Sequence, residues 1–262
     1  DLLDEPSVLG IVINYPSQDN DNFKNSKIKL LTKNNSNMPL QAAPCIGFIG
    51  AGNYSSRILI PAFKSSGSVL DTLVTSGGVS GVHHGNKNGF ITASTSIDDI
   101  LKNENINTVA IVTRHDAHAT QVISSLNAGK HVFVEKPLAL TLDEIEQIDK
   151  AYQKSKKTTN VKLMVGFNRR FAPHIIKMKD LLANHLSPKS ILMTVNAGAI
   201  PAEHWVHDAQ VGGGRIIGEG CHFIDLMRHL VGHKIVDFKA TKMGNAPGVD
   251  VTQDKVSITL SF

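Results

Sequence analysis

The sequence predicts an α/β chain: a doubly wound domain with a parallel sheet, followed by a smaller α+β domain whose open sheet is mainly antiparallel and incomplete at its C-terminal end. Three observations carry this expectation. Between residues 43 and about 165, short and nearly continuous apolar runs alternate with amphipathic helical stretches. Strands that are buried on both faces read in this way because helices cover each side of the sheet. A glycine turn joins the first of these runs to the first helix. Beyond residue 166 the order changes, and the chain ends in a run where Val256, Ile258, Leu260 and Phe262 alternate with polar residues, which is the period of a half-buried strand.

The elements follow in order. Val8 to Ile13 reads as one apolar strand, and Asn34-Asn35-Ser36-Asn37 as linker. With no sequence-local partner for that strand, residues 1–42 read as an N-terminal extension, the tail of a preceding domain. Cys45 to Ile49 is the first strand of the main domain, with a helix to about Ser66 in which Pro61 should cost a hydrogen bond and introduce a kink. A strand at Thr72 to Thr75 comes next. Ser96 to Asp99 reads as a capping box opening a short helix. Thr108 to Thr113 is a strand. The helix from His118 is stopped by Gly129, and strand His131 to Val134 follows. Thr141 to Glu144 is a second capping box, with Leu142, Ile145 and Ile148 as the apolar stripe behind it. Leu163 to Val165 closes the domain at residue 165. The second domain, 166–262, should hold a helix at Pro173 to Asn184, a strand near Ser190 to Val195, a helix around Gly220 to Leu230, and strands near 235–243 and 254–262.

Composition narrows the function classes. In 262 residues the formal charge is only +4, with Lys and Arg scattered, so no stripe is present of the kind that tracks a nucleic acid. No apolar run reaches membrane-spanning length, and the start lacks a signal pattern. Two distant cysteines, Cys45 and Cys221, suit a reducing compartment. A cytoplasmic protein is expected, with no nucleic-acid and no membrane partner.

Gly50-Ala51-Gly52-Asn53-Tyr54-Ser55 follows the first strand and opens the first helix, the context that a dinucleotide fingerprint requires. Gly50 permits the tight turn, and Gly52 lets backbone N–H groups approach a pyrophosphate at the positive helix end. Ser55 stands where a third glycine is usual. A Rossmann-type domain that binds NAD or NADP is the expectation. The acid that bonds the ribose hydroxyls of NAD belongs at the carboxyl end of the second strand. Asp71 is read as preceding that strand, and Ser76 follows it, so a 2′-phosphate would not be repelled.

The stretch NTVAIVTRHDAHATQVISSLNAGKHVFVEKPL, Asn107 to Leu138, resembles the glucose-fructose oxidoreductase, inositol dehydrogenase and rhizopine-catabolism (Gfo/Idh/MocA) family. Glu135-Lys136-Pro137 is its most specific match. The resemblance continues through Gly166 to Phe171, His204 to Asp208 and Gly212 to Asp225, with wording similar to the second half of bacterial two-part oxidoreductases in which a zinc-type alcohol dehydrogenase precedes this family. It implies that Lys136 lies beside nicotinamide and substrate and that His222 is catalytic. It further implies that Thr113, His118 and Glu135 join the cofactor site and Arg169 the substrate site; Trp205 either lines the substrate pocket or anchors a loop. The family commonly has Asp four residues before its His; here Gly218 stands there, and Glu219 stands one residue closer.

The resulting expectation is an NAD(P)-dependent oxidoreductase that moves a hydride between nicotinamide and a hydroxyl of a sugar, nucleotide-sugar or polyol, and that assembles as a homo-oligomer through the second-domain sheet. A dinucleotide-binding regulator and an NAD-dependent glycosidase are the alternatives, and retention of both Lys136 and His222 favours the enzyme. His204, His207 and Asp208 lack a third ligand at a recognisable spacing, so no metal is expected.

Overall fold

A computed structural model describes residues 25–30, 43–185, 187–244, 247–248, 251 and 253–262. The run Val8 to Ile13 and the linker Asn34 to Asn37 lie outside the described residues. The main sheet has seven strands in the order β1-β4-β3-β2-β5-β6-β7. These are β1 (Lys27–Lys29), β2 (Cys45–Ile49), β3 (Val69–Val74), β4 (Thr92–Ser94), β5 (Thr108–Ile111), β6 (His131–Val134) and β7 (Leu163–Val165). Strands β2 to β7 are parallel, and β1 pairs antiparallel with β4. The strand order reverses between β2 and β5, which is the point where open α/β sheets bind ligands.

Burial explains the sheet. Every residue of β2 is buried, and Phe48 is closed off completely, edge-on to both Phe63 and Phe90. One core layer gathers Ile46, Phe48, Leu59, Ile60, Leu73 and Phe90. The opposite layer gathers Ile49, Ile100, Val109, Ile111, Val122, Leu126 and Ile148. The helices α1 (Ile60–Ser65), α2 (Gly78–Asn88), α3 (Asp98–Leu101), α4 (His118–Asn127) and α5 (Leu142–Thr159) connect the strands.

Several expectations change in detail. The second strand starts at Val69, so Asp71 lies inside β3 rather than ahead of it. There its buried carboxylate accepts from Thr72 Oγ1 and Asn103 Nδ2, remote from the strand's carboxyl end. Helix α2 and strand β4 went unread because α2 is polar and glycine-rich. Its glycines serve close approach: a Cβ on Gly85 would collide with Leu30 Cδ1, and one on Gly81 would sit 2.7 Å from Thr75 Oγ1. Ser96 does not cap α3, whose entry is held instead by Ser94 Oγ, donating to Asp99 Oδ2 at 2.6 Å. The Thr141 capping box forms in both directions. Of its apolar stripe, however, Leu142 and Ile145 are exposed, and the buried line is Ile148, Ala151 and Ser155.

Pro61 has a local accommodation. Residues Ser55–Leu59 form a π turn, in which Ile60 N donates to Ser55 O, and α1 begins only at Ile60. Proline clashes with the carbonyl four residues before it and has no N–H to give. The wider turn places Pro61 in the first turn of the α-helical segment, where that donor is not needed.

The second unit contains α6 (Pro173–Ala183), α7 (Cys221–Val231) and a two-stranded antiparallel sheet of β8 (Asp237–Lys242) and β9 (Val256–Ser261). Residues 190–195 are not a strand. Leu192 is almost fully exposed there, and no described strand lies alongside to complete a ladder. A second π turn, Ile216–Gly220, precedes α7. Among the described residues no helix is long and apolar enough to cross a membrane.

Residues 27–30, which fell within the N-terminal extension, add the edge strand to the main sheet, and Leu30 is buried in the layer that includes Phe48 and Phe90. Leu30→Ala should therefore destabilise the domain by about 2 kcal/mol, at the low end for a buried leucine because it lies at the sheet edge. Urea unfolding followed by circular dichroism checks this; an unchanged midpoint would detach the segment from the domain.

Candidate active site

The carboxyl ends of β2, β3, β5 and β6 deliver Gly50, Ser76, Thr113 and Glu135-Lys136 to one edge of the sheet. Gly50 has φ +107°, and a Cβ there would lie 2.6 Å from Val112 O, so both conformation and space demand glycine. A Cβ on Gly52 would meet nothing within 4 Å. That open ground lies at the first helical turn, whose N–H groups have no carbonyl ahead of them and suit a phosphate. Ser55 is buried and donates its hydroxyl to Gly50 O at 3.3 Å, stitching the turn where a third glycine is usual. Asn53 and Tyr54 are exposed beside it. The turn thus fits a dinucleotide pyrophosphate. Ser76 is exposed beyond β3, with His83 and Lys87 exposed on the following helix.

Lys136 and His222, 86 positions apart in sequence, are drawn to one place. Lys136 Nζ donates to Gly218 O at 2.7 Å, and Gly218 lies in the π turn that runs into α7, whose second residue is His222. His222 is buried, its Nδ1 has no hydrogen-bond partner among the described residues, and its ring stands 6.2 Å from that of Phe167. Burial, then the cations Lys136 and Arg169, push its pKa down to about 4, against a smaller opposing pull from Asp225 and Glu219. At neutral pH it is an uncharged imidazole able to accept a proton. Glu135 sits next to Lys136 with Oε1 buried and without a partner, and burial raises its pKa. His84 Nδ1 and His207 Nε2 are likewise buried without a partner among the described residues.

Other expected residues fall into place differently. His118 is fully buried, with Nδ1 2.7 Å from Pro137 O and Nε2 3.2 Å from Thr113 O. Lying between two carbonyls, the neutral ring donates its one N–H to one of them and so ties the loop that carries Lys136 to the end of β5. Thr113 gives its hydroxyl to Gln121 at 2.8 Å. Glu219 does not turn toward His222 but holds Arg215 by two bonds, of 3.1 and 3.2 Å, in a turn that lacks α-helical register. Arg169 stacks 4.7 Å from the Phe223 ring centroid. Trp205 lies 5.0 Å from the His115 ring and under Arg114 at 5.6 Å. His204 Nδ1 and Asp208 Oδ1 accept from local backbone N–H groups, the ordinary work of turns. Cys221 keeps its proton, with its thiol pushed up to about 11 by burial.

Three contributors escaped the sequence reading. The Gly218 carbonyl that receives Lys136 carries no residue-type signal at all. His115 bonds Gly212 O through Nδ1 at 2.8 Å and would meet a Cβ on Gly218 at 3.0 Å, so it packs between Trp205 and the π turn. Its place just past β5, at the ligand-binding edge, was the available clue. Asn168 Nδ2 donates to Tyr54 OH at 2.9 Å, tying the second unit's entry to the glycine turn.

A parallel sheet with a phosphate-shaped glycine turn at its carboxyl edge defines a Rossmann-type dinucleotide-binding fold. Residues 45–167 match the family model described as "Oxidoreductase family, NAD-binding Rossmann fold". Residues 45–167 thus carry the NAD-binding domain of that Gfo/Idh/MocA family. Among proteins with assigned names the chain is 29% identical to "Oxidoreductase P35" of Formosa agariphila over 82% of this chain and 68% of that one. It is 36% identical to the scyllo-inositol 2-dehydrogenase (NAD(+)) of Bacillus subtilis over 52% of this chain and 39% of that one. A levoglucosan dehydrogenase solved with NADH and levoglucosan shares the fold, with TM-score 0.68 and 23% identity over 84% of this chain and 64% of that one. The chain thus spans from about two fifths to about two thirds of the length of these relatives.

Two outcomes test this geometry. Gly52→Val adds its side chain to open space and should fold normally while abolishing dinucleotide binding; an unchanged cofactor titration would refute the phosphate site. Because the unfolded His222 titrates near 6.5 and the folded one near 4, the unfolded chain binds more protons between these values. Stability contributed by neutral His222 is therefore complete above 6.5 and drains away as pH falls toward 4. His222→Gln should flatten the loss of melting temperature between pH 7 and pH 5.

Proposed function

We propose that the protein oxidises, reversibly, a ring or chain hydroxyl of a sugar, nucleotide-sugar or polyol, using NAD or NADP. The observation that carries this reading is the convergence of Lys136 and His222 through the Gly218 carbonyl at the sheet edge that also bears the glycine turn. The names of the relatives, an inositol dehydrogenase and a levoglucosan dehydrogenase among them, support a polyol or sugar as substrate class.

When bound, the nicotinamide would supply the acceptor for the carbinol hydride. The chain's residues would provide alignment and proton handling. Gly50 to Ser55 would hold the pyrophosphate, and Glu135 and Thr113, at the ends of β6 and β5, would join the cofactor site. His222, held neutral by burial and by its cationic neighbours, takes the hydroxyl proton as the hydride leaves. Lys136 exchanges its carbonyl partner for the substrate oxygen and stabilises the negative charge developing there, an interaction stronger in the transition state than in the ground state. Arg169 and Trp205 border the substrate. Exposed Ser76 permits a 2′-phosphate, and the exposed β8 face is the proposed surface for self-association.

His222→Ala should lower kcat by about two to four orders of magnitude, and Lys136→Ala by about two to three, with cofactor affinity little changed. The double variant should be scarcely worse than the more impaired single one, since both act on one oxygen. Full activity in either single variant would end the mechanism. Ser76→Asp should weaken NADP more than NAD in paired titrations, by charge repulsion of the 2′-phosphate.

A further inference from the structure

We propose that the substrate is an acid: a hydroxyl-bearing sugar or polyol that also carries a carboxylate or a phosphate, held by Arg169 beside His222. The inference deepens the proposed function and rests on it for the identity of the reacting hydroxyl. The anion site itself is argued from charge and geometry.

The carboxylates near His222 are already engaged. Asp225 is buried and gripped by Arg170 through two nitrogens, Nε standing 2.6 Å from Oδ2. Glu219 holds Arg215 by two bonds. Arg215 also reaches Asp254 at 3.1 Å, and Asp254 in turn pairs with Lys255 at 3.0 Å, so that chain of four charges balances itself. Glu135 is confined where burial favours its uncharged form.

The cations are not matched in the same way. Lys136 rests on a neutral carbonyl, Gly218 O. Arg169 stacks on Phe223, the residue after His222, and has no carboxylate within ion-pair distance among the described residues. Arg114 adds a third positive group at the outer rim, over Trp205. Two cations beside a buried imidazole, with Asp225, Glu219 and Asp254 among the described carboxylates committed to other cations and buried Glu135 opposing only Lys136, make a field that a neutral polyol would leave partly uncompensated. A guanidinium braced on an aromatic ring keeps its planar fork of donors, which suits bidentate binding of carboxylate or phosphate. The anion would then anchor the substrate on the Arg169 side while its hydroxyl reaches Lys136 and His222.

Trp205 is the only tryptophan in the chain and borders this site, so its fluorescence reports binding without any need for turnover. The full chain, loaded with NAD or NADP, is titrated with matched sets: D-glucose, D-glucuronate and D-glucose 6-phosphate; D-galactose, D-galacturonate and D-galactose 6-phosphate; with acetate and inorganic phosphate as bare anions. At least one charged sugar should bind about tenfold or more tightly than its neutral counterpart, the worth of one charge-assisted hydrogen-bond pair. Whether uronates or phosphates lead tells which anion the site takes. Arg169→Gln should collapse the ratio toward one, and Arg169→Lys should retain part of it. Equal affinities, no binding by any charged sugar, bare anions binding as tightly as the acids, or a ratio that survives in Arg169→Gln would each overturn the proposal. Reduced nicotinamide is followed in parallel by absorbance. Selective acid binding without its formation would leave the anion site standing and remove the hydride-transfer reading, whereas unselective oxidation of neutral sugars would do the reverse.

Discussion

Strands β2 to β7 all run in one direction, so their carboxyl ends must finish along a single edge. That constraint assembles the site before any particular chemistry is specified. Gly50, Ser76, Thr113 and Lys136 come from four strand ends that are dispersed in sequence, and parallel pairing alone makes them neighbours. The reversal of strand order between β2 and β5 then opens a crevice at the middle of that edge, because the connections on either side leave toward opposite faces. Even the polar residues of the interior serve this edge. The ring of His118 spans Thr113 O and Pro137 O, locking the loop after β6 to the loop after β5. At the opposite end of the sheet, Lys130 does comparable work by donating to Asn103 O and Ile106 O at 2.7 Å each.

The second unit meets this edge through a few directional bonds. Lys136 reaches the Gly218 carbonyl, Asp116 N donates to Val211 O at 3.2 Å, and Tyr54 receives Asn168. Arg170 and Asp225 brace the entry segment against α7 from behind. His222 is thereby brought to the crevice by a helix whose own stability comes from packing elsewhere, with Leu226 and Leu230 on its buried face and Gly232 closing it in the left-handed region. Its low pKa follows from that placement. Burial first, and then the neighbouring Lys136 and Arg169, keep it an uncharged imidazole at neutral pH.

What the sequence disclosed, and what it concealed, follows the physics of each element. The buried strands were legible because a short apolar run bounded by turns on both sides fits little besides a strand covered on both faces. The Thr141 box and the Gly129 stop were legible because capping uses specific residue types. Helix α2 was hidden by its composition: Gly81 and Gly85 lower helix propensity but are needed where the backbone presses against Thr75 and Leu30. The edge strand Lys27–Lys29 was hidden because only Leu30 beside it is buried. At the site, Lys136 and His222 were singled out through resemblance alone. The contacts of His118 were concealed because sequence does not reveal that its ring lies between the carbonyls of Thr113 and Pro137. The role of the Gly218 carbonyl was unreadable, since a backbone oxygen is the same in every residue.

A π turn is an α-helix with one residue too many, and the turn at Ile216–Gly220 therefore sets the phase of everything after it. Each residue of an α-helix advances the azimuth by about 100°. A relative lacking one residue in this stretch would present α7 rotated by roughly that angle, taking His222 off the crevice and swinging Asp225 away from Arg170. Substitutions can be absorbed here one side chain at a time, whereas a single deletion would misdirect the whole helix. Length, more than residue identity, is what this segment must keep.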